Sequence, residues 1–430
     1  MIGLRIAQVV GLASAALAAE NCTVPNPDYI PPGGDPCTMH SQCASRVCLP
    51  DNSCSTGLEV AYVDPSGNGT VCKQSSPCFA VEAAIATERP YIKLSETTVG
   101  KDAARITDQK LTILAEPGAK LTRDTPGPVM KVDGSSQVEI FDLEISGATG
   151  PSGVGIWLPI DTKATLSLQR VTLSNNALAG LHVEKGGAAT VAQSTIVGSG
   201  DSGIIAQNST VTISQSTIRS NSAHGVLAEK ANLTVAQSVI ASNGRLGVLS
   251  DSSKTAIKQS TIDSNAGGGL SLMMPIAFSI ANNFIVQNGT ATSGVGGIEI
   301  SDLQGDPSDW TLQFNTIADN RRRTDQFDEN RSGGVMCFGA FDAPNNVIIR
   351  NTGGVASNPQ TGGYCTYGNS LVTTPSNPGF VSDTDYHLTL AAPVGILRDS
   401  FTCAGQVDID GDARPQGGKC DLGADEYKAP

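Results

Sequence analysis

The chain has 430 residues, of which only 16% are charged and 4% aromatic. Its formal charge of -13 at pH 7 opposes binding to nucleic acid or to an anionic membrane surface, because like charges repel at long range. Gly, Ser, Thr, Asn, Val and Ile are abundant, which is the chemistry of strands and turns rather than of helical bundles.

Residues 1–19 carry Arg5, an apolar stretch from Ile6 to Leu17 and the small-residue pattern Ala16-Leu17-Ala18. This predicts a cleaved secretory signal and a secreted or cell-surface protein. The apolar run falls short of the roughly 20 residues that a membrane span needs, and no other segment qualifies, so no membrane span is expected.

Residues 20–57 read as a Pro- and Gly-rich linker followed by a small cysteine-rich module. There Cys37, Cys43, Cys48 and Cys54 are separated by five, four and five residues, with few apolar residues between them. In an exported chain such a cluster is held by covalent bridges. A zinc site is the competing reading, and the absence of a CxxC pair counts against it. The pairing of these four stays open.

Residues 58–90 read as an N-terminal cap, with an edge strand at Val60 and Tyr62, a DPSGNG turn and a loop pinched by Cys72 and Cys78. Phe79, Ala83, Ala84 and Ile85 recur at helical spacing and predict an amphipathic helix over 79–88. An open solenoid end is an aggregation hazard unless covered, and this helix is the candidate cover.

From residue 91 to residue 400 the text becomes periodic. Gly155, Gly180, Gly203, Gly225, Gly247, Gly269, Gly297 and Gly334 follow one another at intervals of 25, 23, 22, 22, 22, 28 and 37 residues. Each opens a short apolar strand, such as GIIAQ, GVLAE and GVLSD. A repeat of this length is the mark of a solenoid, and growing intervals mark inserted loops. Within the turn opened by Gly225, apolar residues alternate over three short strands: Val226 and Ala228, Leu233 and Val235, then Ile240. Stacked turns would place Ile218, Ile240 and Ile262 on one another, with Asn176, Asn221, Asn243 and Asn265 as one amide column and Gln193, Gln215, Gln237 and Gln259 as another. A leucine-rich horseshoe would need an LxxLxLxxN string that is missing here. The expected class is therefore all-β, a parallel β-helix solenoid with an N-terminal capping helix.

The Gly-opened turns with their AQS-x-I and SN-x-x-x-G phrases resemble the right-handed parallel β-helix of the pectin-lyase-like superfold, over roughly residues 90 to 400. That superfold hosts lyases, hydrolases, epimerases, tailspikes and non-catalytic adhesins, so the resemblance implies a fold and not one activity. The stretch DYHLTLAAPVGI followed by VDIDGDARPQGGKCDLGADEY is similar to the closing segment of bacterial surface β-helix proteins, and residues 401–430 are read as a C-terminal cap. None of the catalytic phrases of polygalacturonases or pectate lyases is present.

Alternation places two columns outward after the glycines. The first is Trp157, His182, Ile205, Leu227, Leu249, Ser271, Glu299 and Met336; the second includes Glu184, Gln207, Glu229, Asp251 and Met273. Trp157, His182 and Glu184 are candidates to stack on and hydrogen-bond a sugar ring. Glu229 and Asp251, one turn apart, meet the carboxylate spacing of a glycosidase, as any acidic ladder would. Arg321, Arg322 and Arg323, in the insertion that ends before Gly334, are candidates to overhang Glu299 and meet a substrate carboxylate. Against that, a charged run is ordinarily a solvated loop.

No cofactor is expected, with Ca²⁺ at Asp408, Asp410 and Asp412 as the one metal reading. Cys337 with Cys365, and Cys403 with Cys420, are candidate bridges. The function favoured is binding of carbohydrate, a polysaccharide or cell-surface glycan, or of another cell-surface partner without chemistry. A polysaccharide lyase or glycoside hydrolase acting in the groove is the alternative, and a structural spacer is the third class.

Overall fold

A computed structural model describes residues 36–324, 331–354, 358–373, 378–403 and 405–428. The predicted signal, most of the linker, and Asp325, Asp328 and Glu329 of the charged insertion lie outside the described residues. The chain divides into two compact units at Gly57 and Leu58.

In the first unit the disulfides Cys37–Cys48 and Cys43–Cys54 form the core themselves, with Cys43 fully buried. The His40 Nδ1 accepts the Cys48 backbone N–H at 3.0 Å. The four sulfurs are thus spent on each other, and the zinc alternative is not adopted.

The second unit is a parallel β-solenoid. Among the described residues its strands form three parallel sheets of eleven, eleven and twelve strands, each sheet taking one strand from each turn. The first sheet runs from Val60–Val63 to Trp310–Gln313, the second from Ala104–Thr107 to Thr361–Gly363, and the third from Thr98–Gly100 to Leu371–Thr373. Strand Val60–Val63 pairs with Tyr91–Leu94, so the coil begins inside the segment read as a cap. The insertion that ends before Gly334, read from the sequence as spanning 302–333, is interrupted by strands Trp310–Gln313 and Thr316–Ala318, which belong to the first and third sheets.

The interior is built from repeated residues stacked in register. Ile196, Ile218, Ile240, Ile262, Ile285, Ile317 and Ile348 pair turn upon turn, and each is essentially buried. Burying each such side chain contributes about 1.5–3 kcal/mol, so the pillar drives the winding. Where one inward position is polar it is answered locally: Ser250 and Thr255 hydroxyls meet at 2.6 Å. The strand glycines serve close approach. A Cβ at Gly225 would lie 2.5 Å from the Ile240 γ2 methyl and 2.6 Å from the Gly247 carbonyl.

The Asn column is a buried ladder: the Asn221 Nδ2 donates to Asn243 Oδ1 at 2.9 Å, Asn243 to Asn265 at 2.8 Å, and Asn265 to Asn288 at 2.9 Å. Ser199 interrupts it beside Asn176, where its backbone N–H takes the Asn221 Oδ1 at 3.0 Å. The Gln column forms the expected amide bond at its first step, where Gln193 Nε2 donates to Gln215 Oε1 at 3.3 Å, while Gln259 turns its amide to the Asp408 carbonyl. Gln193, Gln215, Gln237 and Gln259 occupy the left-handed corner at φ near 50°, 48°, 49° and 49°. The continuous ladder at that corner sits one residue further on, where Ser194, Ser216 and Ser238 each donate their backbone N–H to the hydroxyl of the next turn.

The short helix spans only Val81–Ile85, and its buried face is Val81, Ala84 and Ile85. Phe79, expected on that face, lies before the helix and is exposed, as is Ala83. The helix packs against Val60–Val63, Thr98–Gly100 and Ala104–Thr107, which are the first strands of the three sheets.

After Thr373 the described chain adds no further parallel strand. Instead it runs along the outer face of the third sheet. Phe380, Tyr386, Leu388, Leu397 and Leu422 pack there on Phe284, Val286, Ala318, Val347 and Ile349. Gln259 Nε2 donates to the Asp408 carbonyl at 3.0 Å, and the Ala424 N–H donates to Thr316 Oγ1 at 3.1 Å. The segment is therefore a lateral strap reaching back over several turns. Disulfides Cys72–Cys78, Cys337–Cys365 and Cys403–Cys420 also lie in this unit.

Candidate functional site

The outward face of the second sheet carries the first column in unbroken register. Trp157 pairs with His182, His182 with Ile205, and the series continues through Leu227, Leu249, Ser271 and Glu299 to Met336. In the second column Gln207, Glu229, Asp251 and Met273 pair in the same way. Neighbouring turns lie about 4.8 Å apart, so the face is a linear array of side chains with that repeat.

Its polar members are linked. The His182 ring donates from Nε2 to Gln207 Oε1 at 3.1 Å, and Gln207 Nε2 donates to Glu229 Oε2 at 2.7 Å. Glu184 Oε1 stands 3.7 Å from the same imidazole nitrogen, while its other oxygen accepts the Ile160 N–H at 2.6 Å. The aliphatic stretch beside them is graded: Ile205 is 8% exposed, and Leu227 and Leu249 are half-buried.

At one end Trp157 is half-buried, and its indole N–H is buried without a hydrogen-bond partner among the described residues. Lys131, one turn earlier, lies over the ring with Nζ 4.9 Å from its centre. Lys131 and Arg105 in turn approach Asp133, at 3.7 and 2.6 Å. Arg105, Lys131 and Asp133 were not among the residues singled out from the sequence. Their turns lack the opening glycine, and the available signal is the alternation itself, which sets Lys131 and Asp133 between and after the inward Met130 and Val132, and Arg105 between Ala104 and Ile106.

At the other end the three arginines part company. Arg321 and Arg323 are exposed, whereas Arg322 has a side chain only 2% exposed and donates to Glu299 Oε2 at 2.8 Å. Arg331 reaches the same carboxylate at 3.7 Å and lies over the Phe338 ring. Arg322 is thus a buried partner of Glu299 instead of an overhanging cation, because a half-buried carboxylate on the sheet demands a counter-charge.

The strap gathers a second group of charges. Arg414 and Glu426 form an ion pair at 3.1 Å with side chains 0% and 1% exposed, among buried Asp408, Asp421 and Asp425. Burial pushes the Asp425 carboxyl up to about 6 and holds Asp408 above the ordinary carboxylate range. The aspartates expected to hold Ca²⁺ do not converge. Asp408 Oδ1 accepts the backbone N–H groups of Asp410 and Asp412 at 3.0 and 2.8 Å, and its Oδ2 accepts that of Glu426 at 3.2 Å. Asp412 pairs with Lys428 at 3.1 Å, and Asp410 faces His387 Nε2 at 3.2 Å. The DIDGD order makes a turn closed by its own backbone, which spends Asp408.

A three-sheet parallel coil with a ladder of polar and aliphatic side chains along one outer sheet defines an elongated β-solenoid with a lengthwise surface. The model of the right handed beta helix region matches residues 130–285 and, overlapping them, 211–390; this covers more than half of the chain, which belongs to that family. No curated protein matches it. Among solved structures, the pectate lyase Pel9A is similar at 15% identity and a TM-score of 0.52, over 86% of this chain and 96% of that one. The A-module of the Azotobacter vinelandii mannuronan C-5 epimerase AlgE4 is similar at 14% identity and a TM-score of 0.52, over 76% of this chain and 100% of that one. At such identities the likeness is one of fold.

Proposed function

We propose that this is an exported protein whose second-sheet face binds a polysaccharide or cell-surface glycan without chemistry. The observation that carries the reading is the pair of in-register columns, Trp157 and His182 in the first and Gln207, Glu229 and Asp251 in the second, joined by the His182–Gln207 hydrogen bond. Together they offer polar and aromatic side chains turn by turn to a linear polymer. A half-buried indole suits the apolar face of a sugar ring, and the linked His182, Gln207 and Glu229 suit its hydroxyls. Two fold neighbours carry pectate and mannuronan in their names, which supports a glycan as the ligand class. Pairing of Arg322 with Glu299 supports binding over catalysis, since it withdraws one cation that a lyase acting on uronic acids would use.

Export rests on the N-terminal pattern of residues 1–19 and on five disulfides, which persist in oxidising compartments. The Val81–Ile85 helix serves as the cap of the first turn, a role supported by its packing on the leading strand of every sheet. Deleting it is expected to yield end-to-end aggregates visible by light scattering.

The enzymatic reading is favoured by one observation: Glu229 and Asp251 are direct neighbours in register, about 4.8 Å apart by strand spacing, close to the 5 Å that retaining glycosidases use. Calorimetric titration with neutral and acidic polysaccharides separates the two. Binding weakened about tenfold or more by Trp157→Ala and by Gln207→Ala, with no unsaturated product and no new reducing ends, is the expected result. Turnover abolished by Glu229→Gln would replace binding with hydrolysis.

A further inference from the structure

We propose that His387, Asp410 and Asp425 form a site for one divalent transition-metal ion, zinc being the ion that the donors fit, which clasps the C-terminal strap. One ring nitrogen of His387 and one oxygen of each aspartate all lie within 4.8 Å of one another, and the Nε2 to Asp410 Oδ2 distance is 3.2 Å. Ligands bound tetrahedrally at about 2.0–2.1 Å stand about 3.3 Å apart, so this pair is already at coordinating separation.

The imidazole is held for that task from two other sides. Its Nδ1 donates to Asp385 Oδ1 at 2.5 Å, so that in the neutral ring the lone pair is the one on Nε2, the nitrogen that faces Asp410. A carboxylate behind a histidine is the usual support for a metal ligand, fixing its tautomer and orientation. The ring also meets Phe284 edge-on, with centres 5.0 Å apart. Asp425 is buried and is held in place by the Leu388 N–H, which donates to its Oδ2 at 2.5 Å. One imidazole with two carboxylates suits zinc better than calcium, which prefers an all-oxygen shell. A cleft lined by Asp263, Phe284, Gln287, Asp385 and His387 borders the ring, and the Asp410 side chain is itself exposed, so solvent reaches at least one of the three ligands.

The consequence is mechanical. The three ligands come from separate bends of the strap, and an ion joining them would fasten residue 387 to residues 410 and 425, complementing the Cys403–Cys420 bridge.

The test uses the intact, chelator-treated chain titrated calorimetrically with Zn²⁺ at neutral pH, with Ca²⁺ in parallel and thermal unfolding recorded with and without each ion. One Zn²⁺ per chain and a raised melting temperature are expected, with affinity lowered at least tenfold by His387→Gln and by Asp410→Asn. Asp410 has a side chain 56% exposed, so its variant should fold even if the histidine variant does not. Asp412→Asn, which disturbs only the pair with Lys428, should bind as the parent does. No binding at millimolar Zn²⁺, binding indifferent to both ligand variants, or a preference for Ca²⁺ would overturn the proposal. So would a melting temperature that responds to pH alone, since a protonated His387 would then be the counter-ion of the two aspartates.

Discussion

A single methyl group decides whether two turns can stack at Gly225. The added carbon of Gly225→Ala would sit 2.5 Å from the Ile240 methyl and 2.6 Å from the next turn's carbonyl, and neither can retreat within a close-packed coil. Overpacking of this kind costs about 1–3 kcal/mol, so the variant should unfold at a lower denaturant midpoint than its parent. A parent-like midpoint would mean that the turns separate more freely than the registers imply. His224 makes a different test. Burial, aided by Arg245 and opposed by Asp201, holds its imidazole below the ordinary histidine value. The folded state therefore binds fewer protons than the unfolded chain, and the group's contribution is complete above about pH 6.5 and lost as pH falls through the depressed value. Between pH 7.5 and pH 5 the parent should lose more melting temperature than His224→Gln; equal slopes would refute the assignment. Residue identity made the glycine positions conspicuous in the sequence, but their reason, close approach without positive φ, came from the neighbouring turn.

At the scale of elements, the strap is secured by a buried ion pair on a sheet. Arg414 donates to Glu426 and to the carbonyls of Asp421 and Gly423 at 3.1, 2.9 and 2.8 Å, and its guanidinium lies over Phe314. Replacing it by methionine leaves Glu426 buried and unpaired, a loss of about 3–5 kcal/mol. Hydrogen exchange of Arg414→Met should show residues 378–428 losing protection while the strands at 204–273 keep theirs. Loss of protection throughout would mean that strap and coil unfold as one. The sequence marked the VDIDGDARP stretch as a distinct closing segment. It could not say that the segment lies along the third sheet, because the apolar residues it covers, Phe284, Val286, Val347 and Ile349, are read from the sequence only as ordinary strand residues. For the same reason Arg322, one of three consecutive arginines, could not be told from its exposed neighbours.

For the molecule as a whole, each turn bonds chiefly to the turn before and the turn after, so stability should be nearly additive along the axis. Excising residues 225–246 would join two turns whose strands already share one register, since Ile204, Val226 and Val248 stack in series. The shortened chain is expected to keep the parent's β-type circular dichroism with a modest loss of stability. The strap bonds at Gln259 and beyond, past the excision, and should be undisturbed. Removing half a turn instead should abolish folding, because the strand after the deletion would arrive opposite the wrong sheet and lose its in-register partner. If both deletions behave alike, nearest-neighbour stacking is not what holds the coil.

The sequence by itself determined the winding. A period of 22 residues with alternating apolar positions admits one arrangement in which Ile218, Ile240 and Ile262 are all buried, and the outward columns follow from the same alternation. Only the tertiary structure decided which outward residues work together. The His182, Gln207 and Glu229 chain, the burial of Arg322 and the meeting of His387 with Asp410 and Asp425 each join residues from different turns or bends. Local periodicity specifies the direction in which a side chain points, whereas contact, charge pairing and burial depend on what the rest of the chain places opposite it.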